Sequence, residues 1–358
     1  MTAMIGPEVN LKMLKRLTVI VIAIAMIAAL SACAGKAPEP AAGPSQSQQP
    51  AQTQAEAPQA EAPKTEEPAP AEEKPAYPFT FTDSLGREVT VEKRPERVAC
   101  MIGSFADIYC LAGGKDDIIA ATDDAWKNFD LGLSESAVKL GALNSPSTET
   151  LITADPDFII ASSGTAADLE MEDLLEKSGI NYAYFDVSTF DDYLAMLDVC
   201  TSVTDEKALY EENGLSIRGE VEEAKAKADG SRPTVLYIRA AASVIKAKPS
   251  DDSVLGEMLK DLDCVNVADS DSSLVDDLGL EGILTADPEY IFVVFQGSDT
   301  EKASKALHEM LLDDPAWSSL TAVKEGRFHM LEKELYNQKP NRRWGEAYLK
   351  LANILYGE

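Results

Sequence analysis

The sequence predicts an α/β fold made of two Rossmann-like lobes that are joined by a single long α-helix. The first observation behind this prediction is a stretch that the chain contains twice, ETLITADPDFIIASSG at 149–164 and EGILTADPEYIFVVFQG at 281–297. In both copies a glutamate is followed seven residues later by a proline and then by an apolar run that ends near a glycine. Chance similarity of two common helix–strand junctions is the alternative, but the shared Thr-Ala-Asp-Pro favours one structural unit used twice.

Each copy is interpreted as a short helix followed by a buried parallel strand. The residue before a proline is disfavoured in the helical conformation, so each helix should end just before Pro156 or Pro288. The apolar runs 158–161 and 290–294 are bounded and continuous, which is typical of strands covered on both faces. Units of this kind build α/β lobes, and two copies therefore predict two similar lobes.

The second observation is helical spacing of apolar residues between the two copies. Two stripes have this spacing, one formed by Phe190, Leu194, Leu197 and Thr201 and the other by Tyr210, Ile217, Val221, Ala224 and Ala228. The second stripe predicts a long helix over 205–229 that is weakened by an Asn-Gly pair at 213–214 and ended by 230–233. A helix that only covers the second lobe is the alternative, but its length and its place between the copies favour a bridge.

These patterns predict an N-terminal lobe at 77–203, an interlobe helix at 204–230 and a C-terminal lobe at 231–358. Alternating segments and turn residues at 79–91 predict a β-hairpin that leads into the first lobe. The other predicted elements are strands at 98–102, 118–121, 182–185 and 234–238, a helix at 105–112, and a final helix with apolar residues at 344, 348, 351 and 355.

The first 32 residues predict an export signal. A basic cluster, Lys12, Lys15 and Arg16, precedes a fourteen-residue apolar run that is too short to span a membrane comfortably, and the segment closes with Leu-Ser-Ala-Cys at 30–33. Translation can begin at Met1 or at Met13.

The next segment, 33–76, is rich in Ala, Pro, Glu and Gln and almost without large apolar residues. We expect a disordered, proline-stiffened tether here, because such a composition buries too little surface to offset ordering entropy. A wall-spanning stalk is the alternative.

The whole chain has a formal net charge of −29, which excludes nucleic acid as a partner because acidic surfaces repel phosphate. Four cysteines, Cys100, Cys110, Cys200 and Cys264, lie in apolar surroundings without a Cys-x-x-Cys pair, which favours small buried residues over disulfides or metal ligands. Export would permit a disulfide, so their redox state stays open.

Together these features resemble the substrate-binding lipoproteins of ABC importers for iron-siderophore complexes, haem and cobalamin, which are periplasmic binding proteins of class III. The sequence Leu-Ser-Ala-Cys resembles their lipobox, which implies that Cys33 is lipidated, and KPNRRWGEAY at 339–348 resembles the ending of iron-complex members. The resemblance covers 77–358. It implies a monomeric, extracytoplasmic protein, lipid-anchored to the cell membrane through Cys33, that captures an iron complex in a cleft between the lobes.

The resemblance further implies delivery of the ligand to an ABC permease dimer with its ATPase, without enzymatic activity or a cofactor. In the family a surface glutamate of each lobe docks on the permease, and Glu149 and Glu281 occupy the matching positions before the prolines. Taken from the residues alone, each could instead be a helix N-terminal acid that favours the macrodipole.

Ligands of open α/β sheets bind at the carboxyl ends of the strands. The predicted ligand-binding residues at such ends are Ser104, Trp126, Ser163, Arg239, Gln296, Tyr336 and Arg343. The two arginines suit anionic carboxylate or catecholate oxygens, and the two aromatic rings could stack on flat parts of a ligand. The alternatives are a packing role for Trp126 and an ion-pair role for Arg343.

Other functions are less consistent with the sequence. Binding of bare zinc or manganese needs clustered imidazoles and carboxylates, and the chain has only His308 and His329. Haem binding with His329 or a tyrosine as axial ligand, and cobalamin binding, stay open. No phosphate-binding glycine motif or nucleophile elbow supports an enzyme, and paired acids such as Asp123-Asp124 and Asp276-Asp277 are usually solvated. A surface adhesin would leave the duplicated glutamates unexplained.

Overall fold

The computed structural model describes residues 76–251, 253–297 and 299–357. The predicted signal, Cys33 and nearly all of the predicted tether lie outside these residues. Within the described ranges, no helix combines the length and the apolar character needed to cross a membrane.

The strands are numbered here in chain order. They are β1 (Phe79–Thr82), β2 (Glu88–Val91), β3 (Val98–Cys100), β4 (Ile118–Ala121), β5 (Val138–Lys139), β6 (Gly141–Ala142), β7 (Ser145–Pro146), β8 (Phe158–Ser162), β9 (Asn181–Phe185), β10 (Thr234–Ala240), β11 (Ile245–Ala247), β12 (Val265–Asn266), β13 (Tyr290–Phe295) and β14 (Phe328–Leu331).

The α-helices are Gly103–Leu111, Asp124–Lys127, Thr148–Thr153, Ala166–Leu169, Glu172–Ser178, Phe190–Thr204, Ala208–Tyr210, Ser216–Lys225, Val254–Asp261, Ser272–Asp276, Leu280–Ala286, Thr300–Leu307, Thr321–Lys324, Lys333–Tyr336 and Trp344–Tyr356. Shorter 3₁₀ turns are Lys115–Asp117, Val267–Asp269, Pro315–Ser319 and Asn341–Arg343, and π turns are Glu211–Leu215 and His308–Leu312.

The first lobe is a parallel sheet with strand order β5-β4-β3-β8-β9. The second lobe is built around β10, which pairs in parallel with β13 and with the short β12, while β14 pairs in parallel with β13 and β11 pairs with β10 in antiparallel orientation. Every residue of β8 is buried, and β13 is buried except for its last residue. These findings confirm the predicted α/β fold, with parallel strands covered on both faces.

The two copies of the repeat occupy equivalent places in the two lobes. In each copy an acidic residue follows the proline, and the residue after that acid pairs with the start of the neighbouring strand. The pairs are Phe158 with Val98 in the first lobe and Tyr290 with Val235 in the second. The residue before each proline has a positive φ, 53° at Asp155 and 38° at Asp287. A proline disfavours the helical conformation of the residue before it, so each helix ends at this point.

The acidic residue after each proline has a shared structural task. The Asp157 carboxylate accepts hydrogen bonds from the main-chain N–H groups of Glu96 and Arg97, at 3.0 Å each. In the second lobe the Glu289 carboxylate accepts from the N–H of Thr234 at 2.8 Å. Each acid therefore satisfies main-chain donors at the start of the adjacent strand, which explains why the repeat retains a carboxylate there.

The helical connection between the repeats is shorter than the predicted 205–229. The preceding helix ends at Thr204 because Asp205 adopts the left-handed conformation, with φ of 61°, and helical structure resumes at Ala208. It continues through the π turn to Lys225. The final helix Trp344–Tyr356 packs along 216–225, so this part of the connection belongs to the packing of the second lobe.

The π turn lies at the predicted weak point, the Asn-Gly pair. The Asn213 side-chain amide donates to the Leu111 carbonyl at 2.8 Å, and the Asn213 carbonyl accepts from the Tyr193 hydroxyl at 2.6 Å. A Cβ at Gly214 would lie 2.9 Å from a methyl of Leu194, so a larger residue would require the Leu194 side chain to shift. The irregular turn thus attaches the connecting helix to the first lobe.

The predicted hairpin is held against the first lobe by one buried carboxylate. Asp83 accepts from Nη2 of Arg87 at 2.6 Å and from Nε at 3.0 Å, and it also accepts from the main-chain N–H of Tyr184 at 3.1 Å. The Arg87 guanidinium lies 4.1 Å from the ring centroid of Tyr182. The hairpin is therefore tied to the edge strand β9 by charge and by stacking.

Replacing Asp83 by asparagine should lower the free energy of unfolding by about 2 kcal/mol, because it removes the buried charge that accepts hydrogen bonds from the half-buried guanidinium. Urea unfolding followed by circular dichroism measures this. Asp173→Asn is the matched control, because Asp173 pairs with Lys177 at the surface, where the two side chains are 90% and 77% exposed. This substitution should change the free energy of unfolding by less than about 0.5 kcal/mol. Equal effects of the two substitutions would contradict the buried clamp.

The four cysteines are free thiols. Cys100 and Cys200 are buried, and Cys110 and Cys264 are half-buried. Burial raises the pKa of Cys110 and of Cys264 to about 12. All four therefore behave as packed, unreactive thiols.

Candidate functional site

The carboxyl ends of the parallel strands bring together residues that are far apart in the chain. Ser104 follows β3, Trp126 lies in the short helix after β4, and Ser163 follows β8 in the first lobe. Arg239 lies near the end of β10 and Gln296 follows β13 in the second lobe. Five of the seven predicted ligand residues thus lie at strand ends of one lobe or the other, where α/β sheets bind ligands.

The first-lobe residues differ in their availability. Trp126 is half-buried, and the Lys139 ammonium lies 5.1 Å from its ring centroid. The Ser163 hydroxyl donates to the Phe185 carbonyl at 3.2 Å. Ser104 is only 3% exposed, and its main-chain oxygen takes part in a contact between the lobes that is described below. Of these three residues, Trp126 and Ser163 are therefore the more accessible ones.

Arg239 is the cation that the fold places at the second-lobe edge. Its Nε and Nη2 atoms donate to the Tyr237 hydroxyl at 3.1 and 3.0 Å, and within the described part of the chain no carboxylate forms an ion pair with it. The side chain is half-buried, which limits competition by water. A guanidinium held in this way keeps donor capacity for an anionic oxygen.

Lys339 is a second cation near this edge that sequence reasoning did not assign to the site. Burial lowers the pKa of its ammonium, the carboxylates of Asp186 and Asp192 act against this change, and the charge of Arg239 adds to it. The two carboxylates belong to the first lobe, which indicates that Lys339 lies near the boundary between the lobes. The only feature of the sequence that pointed to Lys339 was its place in the stretch KPNRRWGEAY, and that stretch does not indicate which side chains Lys339 lies near.

Asn341 is a second residue that sequence reasoning missed. Its side-chain amide donates to the Ser104 main-chain oxygen at 2.9 Å and to the Asp107 carboxylate at 2.7 Å. Asn341 is 1% exposed and has a φ of 52°. It therefore joins the turn before the final helix to the first-lobe helix 103–111.

Two predicted ligand residues have other roles in the structure. Tyr336 is 1% exposed and its hydroxyl donates to the Ala347 carbonyl at 3.0 Å, so the stacking role predicted for it is wrong. The helix that contains it packs under the final helix, which the local sequence could not indicate. Arg343 forms a two-pronged ion pair with Glu346, with N–O distances of 2.7 and 2.9 Å, and this pair lowers the pKa of Glu346 to about 2. The ion-pair alternative for Arg343 is therefore the one observed.

The two histidines lie in ordinary packing environments. The His329 ring stacks on Phe292 and on Tyr290, with centroids at 5.6 and 6.4 Å, and burial lowers its pKa. His308 contacts the exposed Asp313 carboxylate at 3.1 Å. In the described ranges, no three or more His, Cys, Asp or Glu residues form a group that could hold a metal ion. Both histidine rings thus have partners within the described part of the chain, His329 in the packed interior and His308 at the surface.

The duplicated glutamates lie in equivalent positions. Glu149 and Glu281 are each exposed and each is the second residue of its helix, in Thr148–Thr153 and Leu280–Ala286. Glu281 also lines a surface cavity of about 410 Å³ with the carboxylates of Asp271 and Asp277. Both glutamates can therefore be reached by a large partner.

The paired parallel-sheet lobes, the helical connection and the residues at the strand ends define a two-lobed binding protein of class III. The profile of the periplasmic binding protein family matches residues 98–335, and the chain belongs to this family. Its members are substrate-binding proteins of transport systems, which confirms the expectation of a binding protein rather than an enzyme. No curated protein sequence matches the chain.

Three solved structures of the same fold come from proteins of iron or haem transport. IsdE of Staphylococcus aureus, complexed with haem, is 16% identical with a TM-score of 0.59, over 73% of this chain and 98% of that one. SirA of S. aureus, complexed with staphyloferrin B, is 19% identical with a TM-score of 0.59, over 78% and 97%. An ABC-type Fe³⁺-hydroxamate transport protein of Saccharomonospora viridis is 19% identical with a TM-score of 0.59, over 78% and 99%. At these identities the similarity is one of fold.

Proposed function

We propose that the protein is the extracytoplasmic substrate-binding lipoprotein of an ABC importer, and that it captures a ferric siderophore and delivers it to a membrane permease. The observation that carries this proposal is Arg239, a cation at the cleft edge of a strongly acidic chain that has no carboxylate partner among the described residues. Siderophores that bind iron through carboxylate or catecholate oxygens are anionic, and a guanidinium suits such oxygens. Lys339 adds positive charge near the same place.

The proposal also assigns roles to parts of the chain outside the cleft, namely the signal, the tether and the two duplicated glutamates. Cys33 at the end of the signal would be lipidated, and the tether would hold a monomeric binding domain near the membrane. The lobes would be divided at 77–203 and 231–358, with 204–230 between them. Glu149 and Glu281 would dock on the two halves of the permease dimer that works with its ATPase. Their equivalent exposed positions in the two lobes support this assignment.

Haem or cobalamin is the second candidate ligand, bound by the same architecture. The similar structures include a haem complex and a staphyloferrin B complex, so the fold accommodates both classes of ligand in its relatives. Trp126, half-buried at the first-lobe edge, would suit a flat ring system. The packed state of His329 favours the siderophore over haem.

Titration of the protein with a panel of ferric catecholates, ferric hydroxamates, ferric carboxylates, haemin and cobalamin tests the proposal through quenching of tryptophan fluorescence. We expect one ferric complex to saturate the signal at submicromolar concentration. Arg239→Ala should weaken that binding by about ten- to a hundredfold, because a charge-assisted hydrogen bond contributes about 1.5–3 kcal/mol.

Arg327→Ala is the matched control for this experiment. Arg327 also lies over a tyrosine, with its guanidinium 5.1 Å from the Tyr290 ring centroid, but it precedes β14 and so lies at the amino ends of the strands. Its replacement should leave ligand affinity unchanged. Equal losses in both variants would show that general charge rather than the cleft decides binding, and saturation by haemin or cobalamin alone would favour the second candidate.

A further inference from the structure

A carboxyl group is fully buried beneath the loop that follows β8. Asp168 lies in the short helix Ala166–Leu169 and has no exposed surface. Its Oδ2 accepts a hydrogen bond from the Ser162 main-chain N–H at 2.8 Å. Its Oδ1 is buried without a hydrogen-bond partner among the described residues. One half of this carboxyl is therefore satisfied and the other is not.

A second carboxyl, in the helix Asp124–Lys127 that follows β4, makes a similar hydrogen bond, although its residue is only half-buried. Asp124 Oδ2 accepts from the Gly103 main-chain N–H at 2.7 Å, and Asp124 Oδ1 is buried without a partner in the described part of the chain. Gly103 and Ser162 lie at the carboxyl ends of β3 and β8, which pair directly. Neighbouring strands are about 4.8 Å apart. The two carboxyls are thus attached to main-chain amides one strand apart at the first-lobe edge.

Among the described residues, no cation forms an ion pair with either carboxyl. The Tyr184 hydroxyl of β9 donates to the Asp168 main-chain oxygen at 2.7 Å, and no ion pair with Asp168 or Asp124 forms within the described ranges. The Arg87 guanidinium lies 5.1 Å from the Tyr184 ring centroid, and its ion-pair partner is Asp83. The other contacts of this region are apolar side chains of the core beside β8 and β9.

A buried carboxylate without a counter-ion costs several kcal/mol, and such a group becomes neutral instead. We propose that Asp168 is a carboxylic acid at neutral pH, that it forms a proton-binding site together with the Asp124 carboxylate, and that loss of this proton loosens the loop 162–168. The buried hydroxyl of Thr122, which also has no partner in the described part of the chain, lies at the end of the adjacent β4.

The direction of titration agrees with this geometry. Burial raises the pKa of Asp168 to about 7, the hydrogen bond from Ser162 acts against the rise, and the charge of Asp124 adds to it. An aspartate of the unfolded chain titrates near pH 4. The folded state therefore binds this proton more tightly, and it loses stability as pH rises from about 4 through about 7.

Ionisation of Asp168 would place a second negative charge directly beneath the loop that presents Ser163. Affinity for an anionic chelate should then fall as the pH rises through neutrality. This link to affinity rests on the proposed function, whereas the proton-binding site itself does not. The experiment therefore measures protonation of the carboxyl directly and needs no ligand.

The full chain is labelled with ¹³C at the aspartate carboxyls. Infrared spectroscopy and carbon NMR then measure the protonation state of each carboxyl between pH 4 and pH 9. We expect one carboxyl with a midpoint near pH 7, against about 4 for ordinary aspartates. Asp168→Asn should remove that signal, and Asp124→Asn should move it to lower pH because the like charge is gone. Asp173→Asn, at an exposed position, should leave it unchanged.

Unfolding equilibria of the same variants provide a second readout. Between pH 4 and pH 8 the unfolding constant of the unsubstituted protein should rise relative to that of Asp168→Asn by a factor on the order of a thousand. Titration of every aspartate below pH 5, or a signal that responds to sodium rather than to pH, would overturn the proposal. If Asp168→Asn does not fold, the titration of the unsubstituted chain and of Asp124→Asn still decides the question.

Discussion

Cells that carry the protein with Glu149→Ala and Glu281→Ala together should lose ligand uptake almost completely, while the purified double variant binds its ligand normally. Both carboxylates are exposed at the second position of equivalent helices, and neither is one of the proposed ligand-binding residues. A carboxylate that meets a cationic pocket contributes about 1.5–3 kcal/mol, so removal of two should slow productive docking by more than a hundredfold. Charge removal at an interface also lowers the association rate.

Uptake of radiolabelled ligand, with binding measured separately on purified protein, checks this result. Glu301→Ala with Glu334→Ala is the matched control, since these glutamates are also exposed second residues of helices, in Thr300–Leu307 and Lys333–Tyr336. The control pair should leave uptake intact. If the docking variant imports ligand at the normal rate, the glutamates are helix N-terminal residues and no more.

The largest stability effect should come from Trp344→Ala. Trp344 is fully buried, and its ring lies 6.2 Å from that of Phe190 in the first-lobe part of the chain and 6.1 Å from that of Tyr348 in the final helix. Truncation leaves a large cavity where the two parts of the molecule meet, and it should lower the free energy of unfolding by about 3–5 kcal/mol.

Trp344→Phe distinguishes the contribution of ring packing from that of the indole N–H group at this position. The indole Nε1 of Trp344 is buried without a hydrogen-bond partner in the described part of the chain, so phenylalanine removes an unsatisfied donor while it keeps most of the ring. We expect a cost below about 1.5 kcal/mol. Urea unfolding followed by circular dichroism measures both variants, and equal costs would mean that the indole itself is required.

Local chemistry explains why much of the fold could be predicted. Pro156 and Pro288 end their helices through constraints on the residues next to them, and the apolar runs after them could only be buried strands. The structure has these strands at Phe158–Ser162 and Tyr290–Phe295. The Asn-Gly pair likewise predicted a weak point in the connecting helix, and a π turn occurs there.

The candidate site was predicted only in part, because the environment of a side chain depends on what packs over it. Arg239 and Ser163 follow from strand ends and could be placed by pattern. Tyr336 could not, since the final helix that covers it is a tertiary neighbour. Asp168 is an ordinary acidic residue in sequence and becomes unusual only through its burial.

The sequence by itself determined the α/β class, the duplicated helix–strand unit and the equivalence of Glu149 and Glu281, because each depends on residues within one short stretch. Only the tertiary structure decided which polar groups meet. Asn341 and the Ser104 oxygen that accepts its hydrogen bond are 237 positions apart. Contacts of that separation form only when both lobes have folded, and no local propensity encodes them.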